Sequence, residues 1–136
     1  GDDLLGDILN GTKTIESRWY VNRISPWDKI KKGDVVFFKE SGSPVTAKAN
    51  VAKVIQIDKL NDSIVKNLIK NYGKEISPGT TSEQWSSWAT KQTQKRYCIL
   101  IFLRDVKKVT PFNIDKTGYG ISSAWLSVGS IDKVRV

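Results

Sequence analysis

The chain has 136 residues, 39% of them hydrophobic, enough to bury one core without disulfide or metal staples. Lys and Arg number 22 against 14 Asp and Glu, a formal charge of +8 with no His to titrate near neutrality. That balance fits a polyanion partner, because each neutralised phosphate releases counterions. Without His, and with Cys98 as the single cysteine, zinc sites and the common catalytic triads are excluded, so no metal and no cofactor is expected.

Cys98 lies in the run Tyr97-Cys98-Ile99-Leu100-Ile101-Phe102-Leu103 and reads as a small apolar residue of a buried strand, not as a reactive thiol. The longest apolar stretch is far shorter than the ~20 residues that cross a bilayer, and Asp2, Asp3 and Asp7 stand where a secretory signal carries positive charge. A soluble, cytoplasmic protein is expected, a monomer or weak dimer with residues 1–136 as a single domain and no membrane partner.

Leu4, Leu5, Ile8 and Leu9 recur at helical spacing, and Asn10-Gly11 supplies a stop that adopts the left-handed conformation. Thr14 to Val21 is rich in β-branched and aromatic residues and predicts a strand, broken by Ser25-Pro26-Trp27. Lys31-Lys32-Gly33-Asp34 is a turn leading into a strand over Asp34 to Glu40, which ends at Ser41-Gly42-Ser43-Pro44. Val45 to Asp58 is another strand. Its Val45, Ala47, Ala49 and Val51 alternate with polar residues, then Val54, Ile55 and Ile57 break the phase, which predicts a bulge or sharp bend near Ala52 to Lys53.

Ile64, Val65, Leu68, Ile69 and Tyr72 form a helical stripe, with Asn61 or Asp62 to cap its start and Gly73 to end it. A second helix over Ser82 to Lys91 gathers Trp85, Trp88 and Ala89 on one side. The wholly apolar character of Tyr97 to Leu103 predicts a central strand covered on both faces, and Ile131 to Val136 a closing strand. The order is that of an α+β domain, a strongly bent sheet or small β-barrel with helices inserted between strands.

Gly11-Thr12-Lys13-Thr14-Ile15-Glu16-Ser17-Arg18 matches the Gly-x-Lys-x-x-Glu-x-Arg signature that follows the opening helix of ASCH domains, and the chain resembles that family of the PUA-like superfamily. Lys32-Gly33-Asp34 with the strand after it, the long strand from Val45 and the run Tyr97 to Leu103 extend the resemblance over nearly the whole chain. It implies a PUA-like pseudobarrel whose cleft is lined by the signature and which in relatives binds RNA or processes modified nucleosides. The residues themselves agree: on an extended strand Glu16 and Arg18 project from one face, and Lys13 beside the glycine turn can swing toward them. Arg18 can clamp a phosphate or base edge, Lys13 can supply a charge directed at phosphate, and Glu16 can accept from an exocyclic amine or hold the two cations. An ion pair that ties the first strand to its neighbours is the structural alternative.

Tyr20 shares the face of Glu16 and Arg18, whereas Trp19 lies on the opposite face and reads as core. Lys39 and Ser41 end the second strand, where a Ser-Gly turn can present backbone N–H groups or serve as a plain hairpin. The loop Lys116 to Trp125, with Tyr119 and two glycines, has the composition of a cleft wall and equally of a surface turn. The candidate ligand-binding set is therefore Lys13, Glu16, Arg18, Tyr20, Lys39, Ser41, Lys116 and Tyr119, with RNA or a nucleotide or nucleoside as the partner.

Enzymatic alternatives also follow from the resemblance. Some ASCH proteins are amidohydrolases that deacylate modified cytidine with a signature Lys as base, a Thr three residues on as nucleophile and a distant Glu. Others are credited with ribonuclease activity. Here the candidate catalytic pair is Lys13 and Glu16, and Glu16 stands where those amidohydrolases carry Thr, which removes the hydroxyl nucleophile unless Thr12, Thr14 or a water replaces it. Binding without turnover is the leading reading.

Overall fold

A computed structural model of the chain describes residues 4–23, 27–39, 42–92, 94–113 and 125–127. Helix α1 (Leu4–Leu9) is followed by strands β1 (Ile15–Tyr20), β2 (Val35–Lys39) and β3 (Val45–Ile57), helices α2 (Asp62–Ile76) and α3 (Ser82–Gln92), and strands β4 (Tyr97–Phe112) and β5 (Trp125–Ser127). The strands form one sheet in the order β1-β4-β3-β2-β5, every neighbouring pair antiparallel. This is the bent α+β architecture that the sequence predicts.

The apolar run of β4 divides by parity into two cores. Ile99, Ile101 and Leu103 meet Val36, Phe38, Ala47, Ala49 and Val51 on the inner side of the sheet, where Ile8 of α1 packs in. Cys98 and Leu100 face outward onto Leu68 and Ile76 of α2, with Trp19, Tyr72 and Trp85 packed around them. A strand buried on both faces needs no polar alternation, which is why this segment reads as one hydrophobic block.

The predicted bend in β3 is present. Val51 pairs with Leu103 and Lys53 with Phe102, so Ala52 is an extra residue in the ladder. The shift turns Val54 to the inner cluster and Ile55 and Ile57 to the outer one, accounting for the broken phase. Two further register shifts, between Lys48 and Asn50 and between Val45 and Ala47, lie in the same strand pair, and Asp105 at the first of them has φ 54°. Successive bulges bend and coil a long antiparallel pair, which is how this sheet curls.

Gly73 does not end its helix: α2 continues to Ile76 and is capped at Ser77, while Asn61 caps its start by accepting from the Ile64 amide at 2.9 Å. A Cβ at Gly73 would lie 3.4 Å from both Cε2 and Nε1 of Trp85, so the glycine is there for the close approach of α3. α3 opens with a reciprocal cap in which the Thr81 amide donates to the Gln84 side chain and the Gln84 amide to Thr81 Oγ1. Its Trp88 meets Trp19 edge-on at 4.8 Å and Trp85 at 5.1 Å, which fastens the helix to the outer face of β1. β4 runs well past Leu103, because Lys107, Lys108 and Phe112 keep pairing with β3 although four of the nine residues from Arg104 to Phe112 are charged. β5 pairs with β2 from Trp125, where the sequence predicts the end of a loop. The closing strand expected over Ile131 to Val136 lies outside the described residues.

Candidate functional site

The signature begins in a locked turn. Gly11 has φ 84°, the amides of Thr12 and Lys13 donate to the Asp7 carbonyl at 3.0 and 2.9 Å, and the Asn10 side chain accepts from the Thr12 amide. The turn sends Lys13 inward, where only 2% of it stays exposed. Its Nζ donates to the carbonyls of Ile15, at 2.9 Å, and of Ile76, the last residue of α2, and lies 4.0 Å from Glu16 Oε1. A cation on the final carbonyl of a helix satisfies an orphan acceptor at the negative end of the helix dipole. Burial lowers the Lys13 pKa, Arg18 adds to the lowering, and the negative charges of Glu16 and Asp7 oppose it.

β1 then carries the charged residues along the sheet edge. Glu16 pairs with Ile101, Arg18 with Ile99 and Tyr20 with Tyr97, so these three share the inner face with Ile99 and Ile101. Ile15, Ser17 and Trp19 alternate to the outer face, and the Trp19 indole donates to Ser17 Oγ at 3.0 Å. Burial depresses the Arg18 guanidinium pKa while Glu16 and Tyr20 act to raise it. The Tyr20 phenol is pushed up by burial, with Arg18 pulling it down and Glu16 adding to the rise. Glu16, Arg18 and Tyr20 thus share the inner side of the sheet and are electrostatically coupled to one another and to Lys13, which sits at the joint between β1 and the end of α2.

Lys39 reaches the interior by a different route. One residue of β2 is met by two of β3 between Phe38 and Lys39, so Lys39 stands opposite Val45 and is buried, 4% exposed, like the row Val45, Ala47, Ala49 and Val51. It lies three places from β1 in sheet order. Ser41, Lys116 and Tyr119 fall outside the described residues. Asp7 is the member that sequence reasoning missed: its main-chain carbonyl and its charge both serve Lys13, and no spacing rule reports a carbonyl. Among the described residues no three His, Cys, Asp or Glu side chains gather as a metal site, and no helix is long and apolar enough to cross a membrane.

No family model matches the sequence, and no curated protein does. Among solved structures, the crystal structure of ASCH from Zymomonas mobilis matches with a TM-score of 0.62 over 97% of this chain and 85% of that one, at 16% identity. The chain has the ASCH-domain fold. A mutant form of the same Zymomonas mobilis protein matches equally, TM-score 0.62 and 16% identity over 97% of this chain and 88% of that one. A hypothetical protein of known structure matches at TM-score 0.52 and 19% identity, over 80% of this chain and 94% of that one. At such identities the likeness is one of fold, and what the ASCH-fold interior does here is argued from its own side chains.

Proposed function

We propose that this ASCH-fold chain binds RNA or a nucleotide at the inner edge of β1, with Arg18 as the principal contact to phosphate or base. The observation that carries the reading is the placement of Glu16, Arg18 and Tyr20 side by side on the inner face of an edge strand, next to an apolar interior. A guanidinium partly withdrawn from water binds an anion more strongly than one on an open surface, since the competing solvent is reduced. Glu16 orients Arg18 or accepts from a base amine, and Tyr20 offers a ring and a hydroxyl. Lys13, held by two carbonyls, positions Glu16 and does not itself reach for ligand. The net charge of +8 supplies long-range attraction for a polyanion.

Short single-stranded RNA titrated by fluorescence anisotropy through a salt series tests this. Binding that weakens steeply as salt rises is expected. Absence of binding at low salt, or binding indifferent to salt, refutes it. A second reading, deacylation of an acylated cytidine, is favoured by one observation: burial lowers the Lys13 pKa, the direction a general base requires. The two carbonyls that hold its protons work against it, because they stabilise the ammonium form. Chromatography of the nucleoside after incubation separates the two readings: deacylated product that vanishes in Lys13→Ala supports turnover, and unchanged nucleoside supports binding alone.

A further inference from the structure

The outer helical layer carries a groove remote in sequence from the signature. It runs between α2 and α3 with a volume of about 860 Å³. Asp62 and Glu75 also line the groove and the Thr90 hydroxyl donates to the Ser86 carbonyl at 3.1 Å; otherwise Lys66, Lys70 and Lys74 form one wall and Ser82, Ser86 and Thr90 the other. Both sets recur every four residues, which on a helix puts their members on one side with a rise of about 6 Å between neighbours. That interval is close to the distance between successive phosphates of an extended single strand. Ile69 and Trp85, both partly exposed, supply the apolar surface between the two walls, over the buried Val65 and Ala89.

The three lysines are exposed. Asp62 stands four residues before Lys66, the favourable orientation for a helical ion pair, and Glu75 is adjacent to Lys74, yet among the described residues none of the three lysines lies within 4.0 Å of a carboxylate. Among the described residues, the surface cations with a carboxylate within 4.0 Å are arginines, Arg23 and Arg96 on Asp58 and Arg104 on Asp105. An acidic peptide would also use both rows, but a phosphodiester backbone brings its anions at the regular interval that the lysines keep. Phosphate oxygens accept from both ammonium and hydroxyl donors, the usual mixture of backbone contacts to nucleic acid.

We infer that the groove between α2 and α3 holds the phosphodiester backbone of a single-stranded nucleic acid, one phosphate to each of Lys66, Lys70 and Lys74. This surface is separate from the β1 site and makes contacts that do not depend on base identity.

The test compares two variants that lose equal charge: Lys66→Gln, Lys70→Gln and Lys74→Gln combined, and Lys48→Gln, Lys107→Gln and Lys108→Gln combined, the latter three lying on the paired β3 and β4. A labelled oligouridine is titrated against each, and circular dichroism confirms that both remain folded. Each neutralised phosphate of a single strand contributes ~0.7 to the salt slope, so the groove variant is expected to lose about 2 from that slope and the control variant much less. Equal losses in the two variants overturn the inference, since net charge alone would then explain binding. An unchanged slope in the groove variant overturns it also, as does groove-dependent binding of a labelled polyglutamate peptide that exceeds the binding of RNA. Cytidine monophosphate is too short to span the groove and reads the β1 site by itself: its retention in the groove variant, alongside the lost slope, marks the two surfaces as independent. If the mononucleotide fails to bind while the oligomer keeps its groove-dependent slope, the β1 reading falls and the groove stands.

Discussion

β1 has two faces that differ in almost everything except their backbone. Outward, Ile15 and Trp19 are covered by α2 and α3, and Trp19 closes edge-on against Trp88 while its own indole N–H is satisfied by Ser17. Inward, Glu16, Arg18 and Tyr20 bring two charges and a phenol toward an apolar interior, where burial displaces the titration of Arg18 and Tyr20. The cross-strand neighbours make the contrast concrete: Trp19 is opposite Cys98 on the outer face, and Arg18 is opposite Ile99 on the inner. A six-residue strand thus fastens the helical layer with one face and presents a polar edge with the other. Stability and ligand affinity should therefore respond to different residues of the same strand, even to adjacent ones.

The largest effect belongs to the outer face. Trp19→Ala removes a ring from the contact with Trp88 and leaves a void under α3, so unfolding free energy should fall by about 3 to 5 kcal/mol in chemical denaturation. The folded fraction should keep its affinity for nucleotide. A protein that loses affinity with little loss of stability would break the division of labour between the faces.

Lys13→Met tests the joint between the signature and α2. It strips the Ile15 and Ile76 carbonyls of their donor and Glu16 of a neighbouring cation, and an expected loss of about 1 to 3 kcal/mol follows from leaving buried acceptors unpaired. Denaturation of this variant beside Lys13→Arg sharpens the point, since a replacement that restores a cation should recover part of the loss.

A smaller effect is expected in alkali. Burial raises the Cys98 thiol far above its ordinary value of 9.0, so the folded state holds a proton that the unfolded chain releases. The thiol therefore contributes stability that is fully present below that value and is lost as the pH rises past it, by up to about 1.4 kcal/mol per pH unit. Tyr20, also raised, acts in the same direction, whereas Lys13, lowered, acts in the opposite one. Thermal melts of wild type and Cys98→Ala across this range isolate the thiol: the variant should show the shallower decline. Identical slopes would mean that Cys98 is not sealed on the outer face.

How much of this was legible in the sequence depended on whether the signal was one of parity or of distance. Parity was legible. It separated Trp19 from Glu16 and Arg18, divided the inward and outward residues of β3, and located the bend at Ala52 by the point where alternation fails. Distance was not. Gly73 has the same letter whether it ends a helix or admits a neighbouring tryptophan, and only the approach of Trp85 decides between the two. The tie from Lys13 to the Ile76 carbonyl joins a side chain to a main-chain atom 63 residues away, and no pattern of side chains encodes it. Lys39 is buried through a register shift against β3, which depends on the partner strand as much as on its own sequence. The extension of β4 past Leu103 was hidden for a similar reason: Arg104, Asp105, Lys107 and Lys108 look like a solvated loop until their pairing partners are known.

The central claim is that the inner face of β1 holds ligand through Arg18, and Arg18→Ala measured for both melting temperature and mononucleotide affinity tests it most directly. Glu16 keeps Lys13 as a neighbouring positive charge when Arg18 is removed, so the fold should tolerate the change. The account predicts a nearly unchanged melting temperature together with affinity weakened by about 1 to 3 kcal/mol, the worth of a good charge-assisted contact to a nucleotide. Lys91→Ala, on the exposed side of α3, is the control and should alter neither quantity. A destabilised Arg18→Ala protein whose folded fraction binds nucleotide as tightly as wild type would contradict the account and make the signature a structural ion pair.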